Sequence, residues 1–140
     1  MGKVQSFEIE GRLMGMNDYT NKNRSHYQAG GRSKKQQDEA CQWYIKKARL
    51  TPVVDYPVIL KIRWYEEAAR RDVDNIVSAK KFVLDALVKN GILRNDTQTY
   101  VAGIFDLVLK DRDRPRIEVE IHEGVEENIC VLLIGNKKAL

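Results

Sequence analysis

The sequence has no run of about 18 apolar residues, which is the length that a membrane-spanning helix requires. Its opening residues, 1–6, also lack the apolar core of a secretory signal peptide. We therefore expect no membrane partner and a cytoplasmic location.

Cysteine is scarce, and its spacing argues against two kinds of site. Cys41 and Cys130 are far apart, and neither belongs to a Cys-x-x-Cys pair. Because the cytoplasm keeps thiols reduced, this spacing disfavours both a disulfide and a zinc site. We expect both residues to be small buried hydrophobic side chains.

The composition is that of an ordinary globular domain, with 43% hydrophobic and 31% charged residues in a chain of 140. This length favours one domain with a real core. The charge is uneven, since residues 1–50 carry ten Lys and Arg against five Asp and Glu. A basic N-terminal part favours a polyanionic partner, although a surplus of this size also occurs in proteins that bind no nucleic acid.

Hydrophobic periodicity predicts an α+β fold, with a small mixed sheet and two main helices in a single domain. The predicted strands cover residues 4–10, 58–65, 100–110 and 116–123, with a short strand or a tail at 130–134. One predicted helix covers residues 34–50, with Ser33 as N-cap and an apolar stripe of Ala40, Trp43, Tyr44 and Ala48. The other covers residues 75–90, with Asp74 as N-cap and Gly91 as the stop.

Residues 11–33 have no sustained apolar period and are predicted to form a long flexible loop. Loops of about 20 residues are uncommon in compact domains and often have a function. This segment mixes cations with aromatic rings, which suits backbone phosphates and unstacked bases. The alternative is a polar loop without a ligand. The candidate DNA-contacting residues are Asn17, Lys22, Arg24 and Arg32.

Residues 70–75 read Arg-Arg-Asp-Val-Asp-Asn, a turn that places two carboxylates around one valine. While the chain stays extended, Asp72 and Asp74 project to the same side and can converge on one cation. Mg²⁺ needs only one or two protein carboxylates besides water and phosphate. The alternative is a capping turn, in which these side chains bind nearby backbone N–H groups.

The following helix adds a basic residue to this turn. At about 100° per residue, Lys81 and Asp85 share a polar stripe with Asp74, whereas Lys80 lies next to the apolar stripe. Lys81 is therefore the candidate to approach a phosphate or an attacking water. The alternative is an ordinary ion pair between Lys81 and Asp85. Asp96 is a third acidic residue, in a polar turn after the helix.

The run "RRDVDNIVSAKKFVLDALVKNGILRND" resembles the signature of RusA-type endodeoxyribonucleases, the Holliday junction resolvases of bacteria and their phages. The resemblance covers residues 58–123 well and the segment around residues 15–17 loosely. It implies a small homodimer that binds four-way DNA junctions and nicks two strands symmetrically with Mg²⁺ or Mn²⁺. Asp72, Asp74 and Asp96 match the essential acidic residues of that family, and its catalytic lysine falls on the helix that follows the first two.

The stretch from Asn75 to Asp85 is about three residues longer than in the shortest members of that family. Counting from Asn75 places the catalytic lysine at Ser78, and counting back from Asp85 places it at Lys81. The helical-face argument favours Lys81. The residues beyond 123 have no counterpart in the resemblance, and their role stays open.

Arg70 and Arg71 are candidate phosphate-positioning residues, because a guanidinium matches phosphate with a bidentate fork but does not give up its proton. Their alternative role is to pair with the neighbouring aspartates. The proposed chemistry is metal-assisted hydrolysis of a phosphodiester bond. The competing hypotheses are a non-catalytic module that binds branched nucleic acid, and a nuclease that acts mainly on forks or flaps.

The predicted helix creates a geometric difficulty for a site made of three aspartates. A helix of about 16 residues spans roughly 24 Å, and Asp96 lies only six residues beyond its last residue, Asn90. Asp96 must return along nearly the whole helix to reach Asp72. Either the helix is shorter or bent, or the partner subunit of a dimer supplies Asp96.

Overall fold

The structure, a computed structural model, describes residues 3–15 and 27–124, with only the backbone defined for residues 27–33. Within this part of the chain, no helix is both long and apolar enough to span a membrane. In chain order, the elements are β1 (Val4–Glu10), α1 (Tyr27–Ala48), β2 (Val58–Glu66), α2 (Val73–Val77), α3 (Lys80–Lys89), β3 (Val101–Lys110) and β4 (Arg116–Glu123).

The four strands form one mixed sheet in the order β1-β4-β2-β3. β4 pairs antiparallel with both β1 and β2, whereas β2 and β3 are parallel. Val58 aligns with Val101 at one end of the parallel pair, and Glu66 aligns with Lys110 at the other. Because parallel neighbours need a crossover connection, α2 and α3 carry the chain from one end of the sheet back to the other. The predicted α+β fold is confirmed.

The core lies between one face of the sheet and the helices. Period-two alternation places Val58, Leu60, Ile62 and Trp64 on this face, where each is at most 2% exposed. α1 packs against α3 and β1 above them. The predicted strand at residues 58–65 is thus confirmed, and it continues by one residue to Glu66, which shares that face.

The opposite face of the sheet carries ion pairs beside a small apolar cluster of Ile59 and Phe105. Arg63 contacts Glu118 and Glu120, and His122 lies 2.9 Å from Glu120. Burial acts to raise the pKa of Glu120, but hydrogen bonds from Arg63 and His122 outweigh it and hold that pKa below its usual value. These charges satisfy one another within the sheet.

Helix α1 differs from its prediction at its start and in its buried stripe. It begins at Tyr27, six residues before Ser33, so Ser33 is not its N-cap, and it includes Gly30 and Gly31 despite their low helix propensity. The fully buried residues are Cys41 and Ile45, which lie one turn apart, while Trp43 is 56% exposed.

The predicted burial of Cys41 is confirmed. Its side chain is fully buried, and this burial raises the pKa of the thiol to about 12. Cys130 lies outside the described residues, as do residues 16–26 and the predicted strand or tail at 130–134.

The helix predicted over residues 75–90 is interrupted. α2 ends at Val77 and α3 begins at Lys80. The hydroxyl of Ser78 donates a 2.5 Å hydrogen bond to the backbone oxygen of Asn75, a local bond of the kind that competes with the helical pattern. Asp72, not Asp74, is the N-cap residue of α2, so the predictions of one continuous helix and of Asp74 as N-cap are wrong.

The remaining boundaries agree with the periodicity. β1 and β4 have their predicted limits, and β3 starts one residue later than predicted, at Val101. α3 is followed by Gly91 at φ +73°, whose N–H donates to the oxygen of Val88 at 3.0 Å. This left-handed glycine is the predicted helix stop.

Replacing Gly91 with alanine should destabilise the protein by about 1 kcal/mol, because an L side chain is strained at positive φ. Gly103→Ala is the matched control. A Cβ at either position meets no atom within 4 Å, but only Gly91 has a positive φ. Urea unfolding followed by circular dichroism should show a lower midpoint for Gly91→Ala and an unchanged or slightly higher midpoint for Gly103→Ala. Equal midpoints would contradict the prediction.

Candidate active site

The two acidic residues of the motif lie where β2 passes into α2. After β2 the chain turns through a 3.0 Å hydrogen bond from the Arg70 N–H to the Ala68 oxygen. Asp72 has an extended backbone, but Asp74 already lies in the first turn of α2. The extended geometry predicted for residues 72–74 therefore ends at Asp72. Both carboxylates are exposed at a helix N-terminus, where negative charge is favoured.

A buried carboxylate organises the arginines beside this turn. Glu66 is 5% exposed and accepts hydrogen bonds from Arg71 Nε at 3.0 Å and Nη2 at 2.9 Å. Arg12 Nη1 lies 3.8 Å from the same carboxylate. The bidentate fork is the strongest geometry for such a pair. Arg71 therefore pairs with Glu66 at the end of the strand, whereas Arg70 is an exposed residue.

Leu13 and Gly15, which belong to the predicted loop of residues 11–33, are fixed against the acidic turn. Arg71 Nη1 donates a 3.3 Å hydrogen bond to the Leu13 oxygen. Gly15 packs so closely that a Cβ at this position would lie 2.3 Å from both the backbone oxygen and Oδ1 of Asn75. Asn75 is only 8% exposed. The predicted loop therefore approaches the acidic turn at Arg71 and Asn75, through Leu13 and Gly15.

Most of the predicted DNA-contacting residues cannot be placed against this turn. Asn17, Lys22 and Arg24 lie outside the described residues, and Arg32 lies within the helical backbone of α1 rather than in a loop.

The two adjacent lysines have different surroundings. Lys80 Nζ lies 2.9 Å from Asp106 Oδ2, and Asp106 Oδ1 accepts a 2.8 Å hydrogen bond from Trp64 Nε1. Lys81 has a side chain that is 64% exposed and lies 3.8 Å from Asp85. The simple ion pair considered from the sequence is therefore present. Of the two, Lys81 presents its ammonium group to solvent.

Asp96 lies at the other end of the sheet from the acidic turn. It belongs to an exposed segment, residues 94–99, in which the Arg94 N–H donates to the Tyr56 hydroxyl at 3.0 Å. Asp96 thus lies near the start of β2, while Asp72 follows its end. These two ends are about 26 Å apart at roughly 3.3 Å per residue. Within the described residues, no group of three Asp, Glu, His or Cys side chains is arranged to hold a metal ion.

Three residues that position this site were not identified from the sequence. Glu66 continues the inward-facing alternation of β2, so the strand pattern itself contained the signal of a buried charge. Gly15 and Asp106 gave no such signal, because their roles depend on the distant residues Asn75 and Lys80.

The sequence profile of the family described as endodeoxyribonuclease RusA matches residues 16–122 of the chain. The chain belongs to the RusA family. The matched range covers most of the 140 residues and includes Asp72, Asp74 and Asp96. Membership in this family of endodeoxyribonucleases supports nuclease activity for the chain. No curated protein matches the sequence.

The exposed carboxylates of this RusA-family chain suit a hard divalent cation. Asp72 and Asp74 offer oxygen donors two residues apart, and Mg²⁺ needs few protein ligands because it keeps several waters. A third carboxylate from Asp96 does not reach them within the same chain, given its position at the opposite sheet end. The donor set of Asp72 and Asp74 therefore fits the ion in type.

Gly15→Ala should distort this RusA-family site and destabilise the protein by about 1–3 kcal/mol, the range for overpacking. The new Cβ would collide with backbone and side-chain atoms of Asn75 at 2.3 Å, so one segment must move. Urea unfolding measures the loss, and amide chemical shifts should change around Asn75. Gly103→Ala, which meets no atom within 4 Å, is the control. Unchanged stability and shifts in Gly15→Ala would show that the close approach is not required.

Proposed function

We propose that the chain is a divalent-metal-dependent endodeoxyribonuclease that resolves Holliday junctions by paired phosphodiester hydrolysis in DNA recombination and repair. The observation that carries this proposal is the family match, within which Asp72 and Asp74 stand exposed at the N-terminus of α2. Exposure matters because a phosphodiester of a folded DNA junction must approach these carboxylates directly.

Asp72, Asp74 and Asp96 would hold Mg²⁺ or Mn²⁺. The bound ion would polarise a phosphoryl oxygen and lower the pKa of a bound water. The protein supplies the carboxylates of Asp72 and Asp74 at the start of α2, where both are exposed to solvent.

The cations of the site divide into three roles. Lys81, which is exposed and only weakly paired with Asp85, would stabilise the negative charge that develops on the phosphate. Arg70 would bind an approaching phosphate from its exposed position. Arg71 is paired with Glu66, so its role is to fix the end of β2 beside the acidic turn. The close pairing of Lys80 with Asp106 supports Lys81 as the catalytic lysine.

A homodimer would complete the site by bringing in Asp96 from the partner subunit. The separation of the acidic turn and Asp96 along β2 supports this arrangement. Exposed apolar side chains lie beside the acidic turn, where Val73 is 59% and Leu109 is 39% exposed around a cavity of about 290 Å³. In the described part of the chain, β3 is also an edge strand. Two-fold symmetry would then create two equivalent sites for two equivalent strands.

Asp74→Asn should reduce Mg²⁺-dependent nicking of a synthetic four-way junction by more than about 100-fold. Changing a group that only orients a metal ligand already costs about 10- to 100-fold, so losing a ligand should cost more. Junction binding should survive. Asp113→Asn, the same change at an exposed position in the β3–β4 turn, should nick like the parent. Equal nicking by Asp74→Asn would exclude the metal-site assignment.

A panel of four-way junctions, forks and flaps separates the nuclease from the two alternatives considered from the sequence. A parent protein that binds junctions but cleaves no DNA would be a non-catalytic branched-DNA module. Preferential cleavage of forks or flaps would change the proposed substrate from the four-way junction to those structures. The proposed roles of the catalytic residues would stay the same.

The sharing of Asp96 between subunits can be tested with mixed dimers. An Asp72→Asn chain combined with an Asp96→Asn chain should regain one intact site of two, because the intact residues of each chain complement the other. The expected product is a single nick per junction, measured on denaturing gels. If each chain builds its own site, mixing restores nothing.

The matched control combines Asp72→Asn with Asp74→Asn chains. Both changes lie in the same acidic turn, so every site in the mixture lacks one carboxylate, and no activity should return under either arrangement. Recovery of nicking in this control would indicate that parent protein is present in the mixture, and would not indicate complementation between the two variant chains.

A further inference from the structure

The outer surface of α1 carries an aromatic ring that the fold does not bury. Trp43 is 56% exposed, whereas the other tryptophan, Trp64, is 2% exposed. The edge-on ring of Tyr44 lies 4.8 Å from the Trp43 ring, and Lys47 Nζ lies 5.0 Å from its centroid. Trp43 is therefore an oriented, solvent-facing ring next to a cation.

Exposed cations outnumber exposed acids along the described surface of α1, and the ammonium group of Lys47 lies over the Trp43 ring. Residues 34–49, which include the last 15 residues of α1 and Arg49 after it, contain five exposed cations and one exposed acidic residue, Glu39. Lys46 and Arg49 form no ion pair with any residue that the structure describes. Cations in the last turn also offset the helix dipole, which accounts for Lys46 and Lys47. It accounts neither for an exposed tryptophan nor for Arg49, which lies beyond the helix. The exposed cations are Lys34, Lys35, Lys46, Lys47 and Arg49.

Arg49 occupies a backbone position that favours glycine. Its φ is +53°, and its N–H donates to the Lys46 oxygen at 3.2 Å to close the end of α1. This left-handed position is where a helix commonly has glycine, because any Cβ there is strained. The fold alone gains nothing from an arginine at this point. Such a cost at an exposed, unpaired cation points to a use for its side chain.

We propose that Trp43, Lys46, Lys47 and Arg49, the Trp43 patch, form a contact site for unstacked DNA. One base stacks on the Trp43 ring, and the flanking phosphates bind the three cations. This assignment rests on the proposed function, which brings branched DNA to the protein. The site does not use the acidic turn, so it adds a second DNA contact.

The location of the Trp43 patch suits a strand that leaves the active site. Gln5 accepts a 2.8 Å hydrogen bond from the Thr51 N–H, which fixes the chain after α1 beside the start of β1. This part of β1 pairs with the end of β4, and β4 in turn ends opposite Val58. The Trp43 patch and Asp96 thus lie toward the same end of the sheet.

Tryptophan fluorescence tests the stacking directly, in metal-free protein titrated with oligothymidylate. Emission should be quenched, since Trp43 is exposed while Trp64 is buried and donates to Asp106. Trp43→Phe should keep most of the affinity, because it keeps a ring, and should lose the quenching. Trp43→Ala should weaken binding by roughly 5- to 100-fold, as expected for one stacked base.

Two matched pairs of lysines test the charge. Lys46→Ala with Lys47→Ala should reduce the slope of log affinity against log salt by about 1.4, or about 0.7 for each lost phosphate contact on a single strand. Lys34→Ala with Lys35→Ala removes the same charge from the other end of the described helix surface and should leave the slope unchanged. Equal effects of the two pairs would overturn the proposal, because they would indicate only a general attraction.

Arg49→Gly separates binding from folding. It should raise the midpoint of thermal unfolding by a few degrees, because it removes the strain at φ +53°, and yet it should weaken oligothymidylate binding. Unchanged binding by a stabilised Arg49→Gly protein would overturn the proposal.

The outcomes for the patch and for the nuclease are distinguishable. A parent protein that nicks junctions but shows no quenching refutes the Trp43 patch and leaves the proposed function intact. Quenching and patch-dependent binding in a parent that never nicks would support the Trp43 patch and refute the nuclease.

Discussion

The parallel pairing of β2 with β3 determines where the candidate catalytic residues lie in this fold. Parallel neighbours require a crossover, and here the crossover contains the acidic turn at its start, Lys81 in its helix and Asp96 at its end. Since the crossover must return from the end of β2 to the start of β3, Asp72 and Asp96 are separated by the length of these two strands. A site that needs both is therefore incomplete in one chain, and this separation is the basis for the proposal that two copies share Asp96.

The acidic turn depends in turn on one buried carboxylate. Glu66 occupies an inward-facing position at the end of β2, where an uncompensated charge would be strongly unfavourable. The bidentate pair with Arg71 removes this cost, and it also fixes the backbone that leads into Asp72. The guanidinium of Arg71 also donates a hydrogen bond to the Leu13 oxygen, so the ion pair connects residues 11–15 to the acidic turn. Burial of Glu66 thus orders a site that is itself exposed.

Much of this fold could be predicted from the sequence because strand alternation is a local signal, and the limits of β1 and β4 followed from it directly. Trp43 belongs to the apolar stripe predicted for α1 and is nevertheless exposed, because the buried side of this helix depends on where α3 and β1 lie. The extra residues around Ser78 were visible as added length, but the break that they produce depends on a side-chain hydrogen bond. The contact between Gly15 and Asn75 joins distant segments and has no local signature.

Two kinds of surface cation can be distinguished by whether the fold uses them. Lys80 and Arg71 satisfy partly buried carboxylates, so their charge is already balanced inside the protein. Lys81 has only an exposed partner, and Arg49 has none among the described residues, so a phosphate can bind either one with little competition from the protein. The cations of the N-terminal part that have no ion-pair partner are therefore more informative about a phosphate ligand than the net charge of that part. Among the described residues, Lys46, Lys47 and Arg49 form no ion pair and follow Trp43 at the end of α1 and just beyond it, and the ammonium group of Lys47 lies over the Trp43 ring.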